Sequence, residues 1–510
     1  VKHQEPLPWT ALPVALIVGA FCWIGSVPES QAAGILRAGI GKADITHEQA
    51  GPIHDRLYAK ALILKDDAQT VALITVDAVS LGEIGYISND FLPQVRHRLS
   101  TDCGIPPECV VINASHCHGV VCPDVAERTV QAVRDACQNL VPVRVGCGVG
   151  HEDRIMENRR LRLKDGREAD VRHAYSLPPD AEVAAVGPVD PEIGLVRFDR
   201  EDGRTLAVIY NFACHPIQGV PAGGITADIV GFASRVIEDN LGADTMALFL
   251  QGCAGDINPV WYKDVDRPRD AEPLGNQLGL SALKGLRAIE CAPEGRLSLI
   301  REVLSLPRAN FTDRIRALEL ERDRLVQSLQ GTTLNLKTFL PLVVKYNLAD
   351  EFPSYYSHRY LHDQAAGRDD LPRLDADNRQ NMKAYVANIL TMEELTRVQT
   401  NLALLRQHQA DNEKAHSPTL DVELMGLRIG SCVLITFPGE LTVQIGLNIK
   451  QSSPHEHTFV AGYTNGYIYY APTSEQLTNP GAAQEDCDCL LAPPWQELFE
   501  NKVAEMLRRL

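Results

Sequence analysis

The sequence predicts an α/β fold, a large mixed sheet in a single domain interrupted by a helical hairpin. Three observations carry this. Short apolar runs such as Val71–Val76, Val110–Asn113 and Met246–Leu250 have the length and β-branched content of buried strands. They alternate with segments of helical periodicity, the pattern of a sheet covered by helices. From about residue 307 to 410 the alternation gives way to long, charged, Leu-spaced stretches.

Gly39–Thr46 is a short strand running into a turn. Ala61–Leu64 and Val71–Val76 bracket Asp66-Asp67, a strand–turn–strand pattern. Residues 88–99 and 124–139 suit helices on either side of strand 110–113. Residues 142–155 are strand-like. Residues 156–174, polar and basic, are expected as an exposed loop holding Asn158-Arg159-Arg160. Strands follow at 193–198 and 205–210, and the stretch Gly224–Asp228 then opens a helix running to about Asn240. Met246–Leu250 leads into the glycine turn Gly252-Cys253-Ala254-Gly255-Asp256, where backbone is expected to approach another segment closely. A helix over Gly275–Leu286 and a strand over 294–305 precede the insertion. Its helices are expected at 311–330 and 377–410, with an aromatic tip containing Tyr355, Tyr356, His358, Tyr360 and His362 that suits either scaffolding or walling a substrate cleft. Strands at 421–428 and 431–436 and a helix over Pro494–Leu510 close the chain.

With 510 residues the chain is long enough for a sizeable core. Its formal net charge of -17, with no Lys/Arg-rich tract, argues against nucleic acid as a partner. Leu12–Ile24, after Lys2 and His3 and before Ser30-Gln31-Ala32-Ala33, has the layout of a signal peptide over residues 1–33. The expectation is an exported protein, periplasmic or extracellular, with no stable transmembrane domain after processing. An uncleaved segment would make it membrane-anchored. Export permits disulfides, and Cys103 and Cys109, flanking Gly104-Ile105-Pro106-Pro107, are the best candidates. Cys487 and Cys489 suit a disulfide or a plain loop better than a two-thiol metal site.

The most informative segment is Asn113-Ala114-Ser115-His116-Cys117-His118-Gly119. Two histidines emerge just beyond a strand end and fall on one side if the chain stays extended. His215 has the same setting at the end of Val208–Cys214. Histidines delivered by two strand ends suit either a metal site or separate hydrogen-bonded loop residues. Asp77, ending another strand, suits either catalysis or a helix cap.

Phe437-Pro438-Gly439-Glu440, the Tyr-rich run Gly462–Tyr470 and the glycine turn around Asp256 join these histidines. In that order the segments resemble the neutral/alkaline ceramidase superfamily, from about residue 34 to 510 and weakly across the insertion. The resemblance implies a neutral-ceramidase-like metalloamidase domain with one Zn²⁺, held by His116, His215, Glu440 and Tyr467. Tyr470 is the runner-up for Tyr467, because the run permits a slip. His118 corresponds to a neighbouring proton-shuttling histidine and Arg159 to an arginine facing the substrate. Asp228 and Asp256 are candidates for supporting the site or the substrate.

Two departures stand out. Asn258 occupies the place of a serine in the family's Gly-Asp-x-Ser-Pro turn. It can orient water but cannot act as a hydroxyl nucleophile. Ser474-Glu475-Gln476-Leu477 lacks the family's Glu-Glu-Tyr tyrosine. The family's C-terminal immunoglobulin-like domain has no expected counterpart, so the resemblance covers the catalytic domain alone. The functional expectation is a zinc-dependent hydrolase cleaving an amide (N-acyl) bond of a small-molecule or lipid-like substrate, with ceramide itself in doubt. The alternatives are a metal-dependent enzyme on a small polar or sugar-derived substrate, and a noncatalytic binding protein on the same fold.

Overall fold

The computed structural model describes residues 35–510, apart from 172–176, 221–222, 243, 263, 265, 294, 354 and 480–482. The expected signal segment 1–33 lies outside the described residues.

The chain opens with β1 (Arg37–Asp44), β2 (Tyr58–Lys65) and β3 (Thr70–Val76), an antiparallel meander. The turn between β2 and β3 follows from Asp66, whose carboxylate accepts hydrogen bonds from the Ala68 and Gln69 amides at 2.9 and 2.8 Å. Helix α1 (Phe91–Cys103) crosses to β4 (Val110–Ala114), parallel to β3, and α2 (Val125–Gln138) leads to β5 (Val141–His151). Short strands β6 (Met156–Asn158), β7 (Arg160–Leu163), β8 (Glu168–Asp170) and β9 (Val183–Val186) follow. Then come β10 (Glu192–Arg200), β11 (Thr205–Phe212), α3 (Asp228–Leu241), β12 (Met246–Gln251), β13 (Ile257–Pro259) and α4 (Glu272–Leu286). β14 (Leu297–Pro307) precedes α5 (Thr312–Ser328), α6 (Leu336–Leu348), α7 (Ser357–Ala365) and α8 (Asp370–Lys414). The last part holds β15 (Thr419–Ile429), β16 (Cys432–Thr436), β17 (Glu440–Leu441), α9 (Val443–Ser452), β18 (His457–Ala461), β19 (Tyr470–Ala471), α10 (Ser474–Thr478), α11 (Gln484–Cys487) and α12 (Trp495–Arg509).

Eight strands form a mixed sheet in the order β12-β11-β10-β5-β1-β2-β3-β4, and four more form a second sheet, β14-β15-β16-β18. Side-chain alternation explains how they stack. In β15, Met425 and Leu427 meet Leu73, Ile209 and Leu248 of the large sheet, while Val422 and Leu424 face the other way, onto Trp495, Phe499 and Met506 of α12. The opposite face of the large sheet is covered by α1 and α2 over one half and by α3 and α4 over the other. The result is helix, sheet, sheet, helix in four layers, the α/β mixed-sheet class expected from the sequence.

The large sheet curls so that its two edge strands, β4 and β12, approach each other. Asn113 joins them. Its amide oxygen accepts from the Gln251 amide at 3.0 Å, and its nitrogen donates to the Gly462 carbonyl and the Thr464 hydroxyl at 2.7 and 2.9 Å. Every one of these groups is buried, so the side chain satisfies polar atoms of two other segments at once.

Two expectations need correction. The stretch 156–174 is not an exposed loop over its described residues, 156–171. It forms strands β6 to β8, and Asn158, Arg159 and Arg160 are buried. Burial is tolerable because Glu485 and Asp486, more than 300 positions later, pair with the two guanidiniums. The insertion carries α6 and α7 besides the two expected helices. Its aromatic segment does not form a uniform tip: Tyr360 is buried with its hydroxyl donating to Asp375 at 2.5 Å, whereas Tyr355 is exposed.

The cysteines also differ from expectation. Cys103 and Cys109 are free thiols, and the Cys103 thiol is hydrogen-bonded to Cys137 instead. Helix α1 ends at Cys103 beside the end of α2, which draws that thiol away from the loop carrying Cys109. Cys487 and Cys489 are free and buried. Among the described residues, no helix is long and apolar enough to cross a membrane.

Replacing Asn113 with alanine removes hydrogen-bond partners from buried groups on two segments, β12 and residues 462–464. We expect a loss of about 3 kcal/mol in denaturant unfolding, from the ~1–3 kcal/mol attached to each buried group left unpaired. A change below about 0.5 kcal/mol would show that the two sheet edges are held by other contacts.

A candidate metal centre

Three buried side chains from distant parts of the chain converge: His116 after β4, His215 after β11 and Glu440 in β17. Their donor atoms all lie within 4.8 Å of one another. His116 Nε2 is 3.6 Å from Glu440 Oε1, and His215 Nε2 is 3.2 Å from Oε2.

The orientation of each imidazole follows from its other nitrogen. His116 Nδ1 is 2.6 Å from the Val79 carbonyl, and His215 Nδ1 is 3.0 Å from the Ile257 carbonyl. A carbonyl only accepts, so Nδ1 carries the proton and donates in both rings. In the neutral ring Nε2 then presents a lone pair. Burial pushes the His116 pKa down to about 4, against the opposing pull of Glu440, which keeps this ring neutral near pH 7. Two lone pairs and a carboxylate thus face one another in a buried space. This donor set fits a divalent cation, whose charge relieves the mutual repulsion.

Burial alone would raise the Glu440 pKa. In acid, where His116 and His215 are protonated, their charge and the Tyr467 hydroxyl outweigh it and hold the carboxyl well below the usual carboxylate range, so it stays ionised. Tyr467 donates to Oε1 at 2.5 Å and Tyr463 to Oε2 at 3.1 Å. Tyr467 therefore stands beside the group, as the motif implies. Tyr470 is engaged elsewhere, its hydroxyl 3.3 Å from an Arg159 nitrogen.

Several backbones here are held in left-handed conformation. His116 has φ 67°, Tyr463 52°, Asn465 56° and Tyr469 64°. Such values are unfavourable for residues other than glycine and persist where surrounding contacts over-determine them. The turn at His116 breaks the extended run expected from Ser115 to His118. His116 and His118 still line the same cavity, with ring centroids 5.4 Å apart, but His116 is buried and His118 exposed.

The glycine turn sets the position of Glu440. The Gly255 amide donates to the Leu441 carbonyl at 2.9 Å, and a Cβ at Gly255 would sit 2.8 Å from the Glu440 carbonyl oxygen. Only glycine lets the turn pack this closely against β17. Asp256 continues the support, accepting from the Val443 amide at the start of α9 at 2.8 Å and from Asn158 at 3.1 Å. Asp228, with φ 58°, accepts from the amides of Gln218 and Gly219 and so shapes the loop after His215. Burial pushes its pKa up to about 6.

Arg159 lines the cavity and is fastened on every side. Nε is 2.6 Å from Glu485 Oε1, one terminal nitrogen donates to Asn258 Oδ1 at 3.0 Å, and the other donates to the Gly255 carbonyl. Asn258 is not among the residues lining the cavity, so it reaches the site through Arg159. Asp228 and Asp256 also stand behind the lining. The cavity holds about 340 Å³. Tyr463, Glu485 and the Val79 carbonyl are the participants that motif spacing does not mark. A second tyrosine four positions before Tyr467 was the one available signal.

The fold and site together define an α/β protein with a buried two-histidine, one-carboxylate group that could hold a metal ion. No family model matches the chain. The chain is 23% identical over 491 residues to the neutral ceramidase of Mycobacterium tuberculosis (strain ATCC 25618 / H37Rv), covering 86% of this chain and 69% of that protein. Its fold is similar to that of neutral ceramidase from Pseudomonas aeruginosa, with a TM-score of 0.58 and 16% identity over 94% of this chain and 75% of that one. It is likewise similar to a ceramidase complexed with C2, with a TM-score of 0.59 and 17% identity over 94% and 76%. The chain is thus similar in sequence to one neutral ceramidase and in fold to the solved ceramidases.

Tyr467→Phe removes the short hydrogen bond to Glu440. If the hydroxyl only orients the carboxylate, metal affinity falls about 10- to 100-fold in a competition titration. Tyr463→Phe is expected to act in the same direction and less strongly. Tighter metal binding in either variant would contradict this arrangement.

Proposed function

We propose that this chain is a zinc-dependent hydrolase that cleaves an amide (N-acyl) bond. The observation that carries the reading is the convergence of His116, His215 and Glu440 with both Nδ1 atoms committed to carbonyls. The likeness to neutral ceramidases supports amide cleavage. Imidazole and carboxylate donors suit zinc, and the Tyr467 hydroxyl, bonded to Glu440, would complete the set as a phenol oxygen.

When bound, the metal supplies Lewis acidity that polarises a carbonyl and lowers the pKa of water. The chain's own residues do the rest. His118, exposed at the cavity and edge-on to His116, shuttles a proton between the attacking water and the leaving amine. Arg159 donates toward the oxygen on which negative charge develops, and its fixed partners spare it reorganisation during the reaction. Tyr470, beside Arg159, helps orient the acyl group. Asn258 positions Arg159 and does not act as a nucleophile. Asp228 and Asp256 hold the loops that carry His215 and Glu440. The reading includes export, with the apolar segment Leu12–Ile24 directing it and a mature chain beginning near Ala33 or Gly34.

The test is hydrolysis of a panel of N-acyl lipids, N-acetyl sugars and small amides by the zinc-loaded protein. His118→Ala is expected to lose about 10²- to 10⁴-fold in rate with metal retained. Arg159→Ala should lose about 10²- to 10³-fold. Asn258→Ala should retain metal and lose less than Arg159→Ala does. Failure to hydrolyse any amide, or full activity after metal removal, would contradict the reading. For export, N-terminal sequencing of protein from the native host should find residue 33 or 34 first. Intact protein in the cytosol would overturn that part.

A further inference from the structure

Resting on the amide-hydrolase reading, we propose that Leu404 of the inserted helix α8 is a specificity-determining residue that restricts the site to compact N-acyl substrates, with acyl groups of a few carbons.

The insertion reaches the cavity near the C-terminal end of α8, through Leu404 and Gln407, rather than through its aromatic segment. That end of α8 is firmly held. His408 is fully buried, with Nε2 2.8 Å from Asp488 and its ring 4.6 Å from that of Tyr469. Leu405 packs with Phe311 and Cys487. The Gln409 side chain accepts from the Phe311 amide at 2.7 Å, and that of Asn412 donates to the Ala309 carbonyl at 3.0 Å. Leu404 is thus a fixed wall.

Size and polarity agree. A cavity of about 340 Å³ lies at the small end of the roughly 300–1,000 Å³ of small-molecule sites. The tails of a two-chain lipid amide would therefore have to leave it. Its lining includes Glu83 and Asp488, both anchored. Asn89 donates to Glu83 at 2.8 Å while the Glu83 amide donates back to Asn89, and His408 holds Asp488. An alkyl chain leaving past either carboxylate strips its water without replacing the lost hydrogen bonds, a substantial penalty. The aliphatic lining consists of Ile84, Ile217, Val220 and Leu404, enough to cover a short acyl group.

The test is calorimetric titration of the zinc-loaded full chain with straight-chain alkyl hydroxamates from C2 to C16, alongside hydrolysis of N-acyl amides of the same lengths. Hydroxamates report on the chain-length optimum without turnover. The wild type should bind best at about C2 to C4, with C16 at least tenfold weaker. Leu404→Ala should move the optimum by two or more carbons, and Leu404→Met, of similar volume, should keep it. Tightest wild-type binding at C16, an optimum unmoved in a folded Leu404→Ala, or no binding at any length would overturn the proposal. Chain-length-dependent binding without hydrolysis of any amide would instead overturn the amide-hydrolase reading and leave the Leu404 wall standing.

Discussion

The site depends on two hydrogen bonds that involve no side chain other than the histidines themselves. The Val79 and Ile257 carbonyls take the Nδ1 protons of His116 and His215. Each bond fixes both the tautomer and the direction of the ring. Together they turn two Nε2 lone pairs toward the Glu440 carboxylate, an arrangement that is repulsive in a buried space unless a cation lies among the donors. Tyr463 and Tyr467 spread part of the Glu440 charge through their own hydrogen bonds. The side chains are therefore set ahead of any metal, and their mutual repulsion would favour cation uptake.

The scaffold exists to bring these groups together. His116 follows a strand at one edge of the large sheet, and His215 follows the strand next to the other edge. They meet because the sheet curls and Asn113 ties its edges to each other and to the tyrosine-bearing loop. Glu440 arrives on β17, just past the end of β16 of the second sheet, at a distance set by the bare Gly255 backbone and by Asp256 beneath α9. The buried Arg159–Glu485 pair is the electrostatic counterpart of this framework. A guanidinium so deeply placed is retained only with a compensating carboxylate, and once paired it cannot drift from the cavity.

Much of this was legible in the sequence where chemistry and local pattern coincide. Apolar runs marked β3, β4, β11 and β12, and the histidines just past two of them pointed to a shared site. Pro438-Gly439-Glu440 and the tyrosine run supplied the remaining groups through family resemblance. Long-range compensation was not legible. Arg159 and Arg160 look like solvent-exposed loop residues until Glu485 and Asp486 are known to lie against them. The role of Val79 resides in a carbonyl that every residue possesses. The left-handed turn at His116 is imposed by tertiary contacts, so alternation alone misjudged how His116 and His118 share the cavity. The two extra helices of the insertion lack the long Leu-spaced pattern that marked α5 and α8.

The central claim is that the three converging side chains hold a metal through Nε2 of both histidines. X-ray absorption spectroscopy on the purified, zinc-loaded protein tests it most directly. The account predicts one tightly held zinc per chain, with a first shell of two imidazole nitrogens and oxygen donors at about 2.0–2.2 Å. Substoichiometric zinc after loading, a sulfur-containing shell, or a spectrum unchanged in His215→Ala would contradict it.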